Sequence, residues 1–212
     1  VSGNLTTIDN QVLSLGRGPE DAIFEGPKGI SRSMEGYPVA HFYGYQVIGV
    51  YQNKEDVKRY YPNKVGSPAP GDLKFKDVNG DGVITQDDRT MIGNPTPDLT
   101  YGFNVNLEYR NFDLGVDMMG VYGNEIYRTW DDPTYAQLNY LTSRMNRWHG
   151  EGTSNWEPIL NPSRALNLLN SNYFIEDGSF FRIRNVQFGY KRHPALLSKL
   201  HLKSLRLYAN IQ

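Results

Sequence analysis

The twelve residues DVNGDGVITQDD, 77 to 88, hold the densest chemistry in the sequence. Asp77, Asn79, Asp81 and Asp88 stand at the first, third, fifth and twelfth positions of a loop that could gather oxygens around a hard cation. Val83 offers its carbonyl at the seventh, and Gly82 occupies the sixth, where such a loop turns sharply. These five residues are therefore a candidate Ca2+ site. They do not make an EF-hand, which needs a helix on each side: VGSPAPGDLKFK precedes the loop and TMIGNPTPD follows it, and their prolines and glycines break helices. A dockerin uses a similar loop in two copies, and the sequence has one. An Asx-rich turn, in which the same side chains bond their own backbone, accounts for the spacing without any metal. Both readings stay open. In either the loop is structural, because no paired loop or flanking helix could transmit its occupancy.

Other groups with chemical potential are scattered. Trp130, Trp148 and Trp156 could stack on sugar rings or pack a loop helix onto a sheet. Asp131 or Asp132 with Glu157 or Glu176 would supply the two carboxylates of a glycosidase. Asp131 and Asp132 equally suit a helix N-cap, and neither a nucleophile motif nor a histidine in a metal or triad context accompanies them. His149 reads as the C-terminal residue of a loop helix, where its charge suits the dipole. No catalytic residue is assigned, and the chain is not read as an enzyme.

Strands are the elements that would position these groups. In TYGFNVNLEY, 100 to 109, Tyr101, Phe103, Val105, Leu107 and Tyr109 alternate with Thr100, Gly102, Asn104, Asn106 and Glu108. After Arg110 and Asn111, the residues Phe112, Leu114, Val116, Met118 and Tyr122 share one face, opposite Asp113, Gly115 and Asp117. The pattern predicts a tight hairpin of two strands, each long enough to cross hydrocarbon at a tilt and each carrying aromatics near its ends. A β-sandwich hairpin alternates in the same way. HFYGYQVIGVY (41 to 51), SFFRIRNVQFGY (179 to 190) and SLRLYANIQ (204 to 212) are further strands, with a weaker one near residues 4 to 15. The apolar phase of 179 to 190 shifts between Ile183 and Val186, which predicts a bulge near Arg184 and Asn185. Alternation puts Arg182 and Arg184 on the polar face, where they could form salt bridges or meet a substrate. Five or six strands cannot close a membrane barrel, which needs at least eight. Between the strands lies a long polar excursion, 123 to 178. Within it DDPTYAQLNYLTSRMNRWH predicts a helix with Pro133 in its first turn and Tyr135, Leu138, Met145 and Trp148 along one stripe.

Bulk properties narrow the function. Among 212 residues, 22 Lys and Arg against 23 Asp and Glu give a net charge of -1, without the basic footprint of a nucleic-acid binder. With no cysteine there is no thiolate metal site, disulfide or cysteine nucleophile. No run of 18 apolar residues predicts a transmembrane helix. The mean hydropathy of -0.57 fits a membrane barrel as well as a water-soluble domain, since every second barrel residue faces a polar lumen. Both ends of the sequence break off inside ordinary domain patterns, which predicts a piece of a longer protein.

Residues 70 to 127, PGDLKFKDVNGDGVITQDDRTMIGNPTPDLTYGFNVNLEYRNFDLGVDMMGVYGNEIY, resemble the signature region of the SusC/RagA family of TonB-linked outer-membrane transporters of Bacteroidetes. FYGYQVIGVYQ (42 to 52), RWHGEGTSN (147 to 155), YFIEDGSFFRIRNVQFGY (173 to 190) and LRLYANIQ resemble further family segments in the family order. The resemblance implies an all-β fold, with antiparallel strands and long loops from the C-terminal part of a 22-stranded barrel. Residues 1 to 212 would be a partial barrel region lacking the plug domain and the final strand, with 123 to 178 an extracellular loop. It implies import of oligosaccharides or peptides, a SusD-like lipoprotein partner, TonB as partner of the missing N-terminal part, and outer-membrane lipid around the strands. Arg182 and Arg184 would then line the lumen and could reach plug carboxylates. The competing expectation is a soluble, calcium-stabilised β-sandwich that binds carbohydrate through the tryptophans.

Overall fold

The computed structural model describes residues 1–16, 24–60, 62–129, 140–161, 163–192 and 205–211. Strand β1 (Ser2–Thr7) is followed by an excursion that carries β2 (Phe24–Glu25), β3 (Ser31–Ser33), β4 (His41–Gly44), β5 (Val47–Val50), helix α1 (Lys54–Arg59), β6 (Leu73–Phe75) and β7 (Thr90–Gly93). The hairpin β8 (Leu99–Tyr109) and β9 (Phe112–Tyr122) comes next. A second excursion bears β10 (Glu125–Tyr127) and β11 (Ile175–Asp177), before β12 (Phe180–Lys191) and β13 (Arg206–Ile211). The chain divides into two compact units. A sheet unit comprises residues 1–9, 96–124 and 177–212, and a loop unit comprises the two excursions, 10–95 and 125–176.

The sheet unit is one antiparallel sheet in the order β1-β8-β9-β12-β13. The predicted hairpin is present: Tyr109 pairs with Phe112 around Arg110 and Asn111, and Arg110 adopts a positive φ of 54° with its guanidinium 5.3 Å from the Tyr109 ring. Register turns the alternation of each strand into rows. One face carries Val105, Val116, Val186 and Ile211 side by side, with the row Leu107, Leu114, Phe188 and Ala209 next to it. The other face carries Ser2, Asn104, Asp117 and Asn185. The predicted bulge lies between Ile183 and Asn185. It has a consequence that alternation missed: Arg184 is the unpaired residue, so Asn185, not Arg184, takes the ladder position opposite Asp117. Gly120 makes room for the Tyr101 ring, whose atoms would lie 2.2 Å from an added Cβ, so a cross-strand aromatic covers the glycine.

Two features argue against the sandwich. Phe103, Leu107, Phe188, Leu207 and Ile211 on the apolar face are all exposed, and the described residues of this unit form no second sheet to cover them, as a sandwich requires. Among the described residues, strands β1 and β13 each have one neighbour, leaving ladder groups at both edges for further strands.

The loop unit has a conventional buried core. Tyr45, Val47, Val50, Leu73, Phe75 and Ile84 from the first excursion pack with Leu166, Tyr173 and Phe174 from the second. Each buried aliphatic or aromatic side chain contributes about 1.5–3 kcal/mol, so each excursion gains stability from burying its apolar residues against the other. This merger breaks the predicted strand 41–51. β4 joins the sheet β2-β3-β4-β7 while β5 pairs with β6, because the second excursion intercepts the chain at Tyr45. The Tyr45 amide donates to the Asn170 carbonyl at 2.9 Å, the Asn172 amide donates to the Tyr45 carbonyl at 3.1 Å, and the Val47 amide donates to the Asn172 side chain at 2.8 Å.

The predicted helix of 131–149 is also corrected. Its first part, with Asp131, Asp132, Pro133, Tyr135 and Leu138, lies outside the described residues. The rest is a 3-10 turn, Thr142–Asn146, after which Arg147 is extended. Met145 is exposed while Trp148 packs on the core, so they share no stripe. His149 accordingly caps no helix: its amide donates to the Thr153 hydroxyl within a tight loop.

Candidate functional site

The polar face of the sheet is built for a wet, hydrogen-bonding environment. Asn104 donates to Asp117 and Asn106 donates to Asn104, while Arg206 pairs with Asp113 and Lys191 with Glu108 at 3.4 Å. A hollow of about 1100 Å³ opens there, with Asn4, Asn104, Asp117, Arg184 and Asn185 among its lining. The Asn185 side-chain oxygen is buried there without a hydrogen-bond partner among the described residues. Arg184 thus faces the hollow, while the Arg182 guanidinium lies 5.6 Å from the Phe180 ring. Neither arginine forms a salt bridge among the described residues, and both roles, ion pair and ligand contact, stay open for this pair.

In the loop unit, the side chains of Asp77, Asn79, Asp81 and Asp88 hold backbone amides of the twelve-residue loop. The Asp77 carboxylate accepts from Gly80 at 2.7 Å and Gly82 at 2.8 Å. Asn79 accepts from Asp81 at 3.0 Å, and Asp81 from Val83 at 2.8 Å. Asp88 is fully buried and uses both oxygens, one for the Val78 amide at 2.8 Å and one for Thr85 at 2.7 Å. Gly80 and Gly82 take positive φ values of 77° and 79°, the left-handed turns that glycine permits. No group of three His, Cys, Asp or Glu side chains poised for a metal occurs among the described residues. This is the hydrogen-bond pattern of the Asx-rich turn, with Asp88 as its latch. Asn79 and Asp81 remain exposed, and Asp77 is half-buried.

The remaining candidates separate by burial. Trp130 lies outside the described residues. Trp148 packs against the core over Gly71, whose added Cβ would meet the ring at 2.6 Å. Trp156 is 46% exposed, tilted against Tyr173 at 6.1 Å. Glu157 accepts from the Tyr173 hydroxyl at 2.7 Å and pairs with buried Arg144 at 3.3 Å. Glu176 pairs with Arg128 at 3.0 Å. Both carboxylates are thus committed to separate arginines, which suits structure and not glycoside hydrolysis. Burial, opposed by the Arg144 charge, pushes the Tyr173 phenol well above its usual range, so it stays a donor.

A second buried junction escaped sequence reading. Asn167 accepts the Leu73 amide at 2.8 Å and donates to Asp72 at 3.3 Å. Asp72 also accepts the Ala69 amide at 2.8 Å, and Arg164 stands 3.7 Å away. Asn167→Ala leaves the Leu73 amide buried and unpaired, and should destabilise the loop unit by about 1–3 kcal/mol, read as faster hydrogen exchange at residues 73–75. Burial raises the Asp72 carboxyl above its usual value, against the Ala69 amide and Arg164. The folded form therefore keeps this proton to higher pH than the unfolded chain. The associated stability is present below the unfolded pKa and falls as pH rises through the folded one.

No family model matches the chain. The TonB-dependent receptor P3 of Formosa agariphila is 34% identical over 183 residues, covering 84% of this chain and 18% of that protein. The TonB-dependent receptor SusC of Bacteroides thetaiotaomicron is 26% identical over 191 residues, covering 90% of this chain and 18% of its own length. Among solved structures, the RagAB peptide importer in its open-open state superposes with a TM-score of 0.69 at 17% identity, over 99% of this chain and 22% of that one. The chain spans about a fifth of the length of these proteins. The structural match carries the antiparallel fold, and the sequence relatives carry the family: the chain belongs with the TonB-dependent receptors of the SusC/RagA type.

Proposed function

We propose that this chain is part of an outer-membrane importer that takes up oligosaccharides or peptides, with TonB supplying energy and a SusD-like lipoprotein covering the outer side. The observation that carries the reading is the two-faced sheet with unequal ends. At one end β8 and β9 are joined by two residues. At the other, where Thr7, Leu99 and Tyr122 come into register, the chain leaves for both long excursions. Outer-membrane barrels have short periplasmic turns and long extracellular loops, which supports an extracellular position for the excursions. Tyr101 and Tyr109 are eight residues apart, about 27 Å along the strand and roughly 20 Å in height at a tilt near 40°. That span fits an apolar band about 25 Å tall with aromatic girdles. Fractionation of the native full-length protein tests the assignment. Recovery in the outer membrane supports it, and a soluble periplasmic or secreted product removes it.

For the twelve-residue loop we propose a structural Ca2+ held by Asp77, Asn79, Asp81 and the Val83 carbonyl. Donor spacing supports this, and Asp88 joins only by exchanging its amide partners. Titrating the chelator-treated full-length protein with Ca2+ in a calorimeter should give binding heat that Asp81→Ala lacks. Equal heats from the two proteins leave the hydrogen-bonded turn alone as the reason for the acids.

A further inference from the structure

We infer that a pocket beside the twelve-residue loop, between Lys64 and Arg89, binds a carboxylate. The pocket has a volume of about 300 Å³, the lower end of the range for small-molecule sites, and so suits a single sugar ring or terminal amino-acid residue. Lys64, Arg89, Tyr45 and Gln86 supply its polar lining, and Val65 and Leu169 an apolar wall. Neither Lys64 nor Arg89 has a carboxylate within ion-pair distance among the described residues, although Lys74, Arg128 and Arg144 in the same unit do.

The loop anchors the backbone of Lys64 and the side chain of Arg89. The Lys64 amide donates to the Ile84 carbonyl at 2.9 Å, and the Ile84 amide to the Pro62 carbonyl at 2.8 Å. Arg89 directly follows the buried latch Asp88. Its Nε donates to the Gln86 carbonyl at 3.1 Å, and its guanidinium lies 5.5 Å from the Tyr43 ring centroid. The guanidinium plane is thereby fixed while its terminal nitrogens remain for a ligand. A planar fork matches a carboxylate in two-point geometry, and a lysine adds a mobile point charge. The loop acquires a task from this: it frames two positive groups, 25 residues apart in sequence, around one pocket.

The inference rests on the importer reading only for the source of the carboxylate, a uronic acid of a glycan or the C-terminus of a peptide. Calorimetry on the purified full-length receptor, at millimolar ligand, compares glucuronic acid with glucose, and dialanine with its C-terminal amide. The acid of at least one pair should bind while its neutral counterpart does not, and the pair that responds identifies the source. Lys64→Gln and Arg89→Gln should each weaken that binding about 10- to 100-fold, as should high salt to a lesser degree. Arg89→Lys, which keeps the charge but loses the fork, replaces the glutamine variant if that one fails to assemble, and should also weaken binding. Absence of binding by both acids, equal binding of acid and neutral partner, or unchanged affinity in assembled variants overturns the proposal. Such a failure leaves outer-membrane recovery untouched, whereas a soluble native protein would remove the importer reading and leave the pocket measurement standing.

Discussion

Val105→Arg in the full-length receptor is expected to impair membrane assembly, whereas Asn106→Arg, one residue further on, is not. Val105 lies in the middle of β8, within the apolar row that continues through Val116, Val186 and Ile211 on the neighbouring strands. A guanidinium on that face near the bilayer midplane costs about 2–4 kcal/mol, and it displaces no existing cation or partner that could absorb the charge. Asn106 points to the opposite face, opposite Gly115 and hydrogen-bonded to Asn104, where water and the Asp117 and Glu108 carboxylates can receive an arginine. Outer-membrane yield and heat-modifiable migration on gels read the difference. Equal assembly of Val105→Arg and the unmodified receptor would show that this face does not meet lipid.

The contrast between these neighbours was legible in the sequence because it needs only period-two alternation, a local property. The same holds for the turn at Arg110 and Asn111, and for the bulge, announced by the phase shift between Ile183 and Val186. What the bulge does to Arg184 was not legible, since the partner strand decides which residue is left out of the ladder. The loop unit resisted for a stronger reason. Its elements exist through pairing across more than a hundred residues, as where Asn172 takes the amide of Val47. The alternation of 41–51 was real but could not reveal that Tyr45 would be claimed by another segment. The helix expected through Trp148 fails similarly. Arg144 turns inward to Glu157 and Tyr173, and this buried pairing outweighs the weak helical stripe. The twelve-residue loop was recognisable from its spacing, yet spacing alone did not reveal that Asp88 is a buried latch or that Lys64 and Arg89 meet beside it.

If the two excursions are one cooperative unit, Phe75→Ala in the first should open the second. Phe75 is fully buried, stacked on Tyr45 at 4.8 Å, and its carbonyl accepts the Tyr60 hydroxyl at 2.8 Å. Around it the shared core includes Leu166, Tyr173 and Phe174, roughly a hundred residues later in the chain. Truncation to alanine removes the aromatic ring and leaves a cavity, a loss of about 3–5 kcal/mol for a buried phenylalanine. The sheet unit has its own ladder and its own stabilising surroundings, so the loss falls on the loops. Limited proteolysis of the assembled variant should therefore cut within 140–176 as well as within 40–90, with the barrel still migrating as a folded, heat-modifiable species. Cleavage confined to the first excursion would mean that the second stands on contacts of its own, such as the Arg144, Glu157 and Tyr173 network, which lies wholly within it. Because the Lys64 and Arg89 pocket draws Leu169 from the second excursion, coupled opening would also weaken carboxylate binding there, tying ligand recognition to the integrity of the shared core.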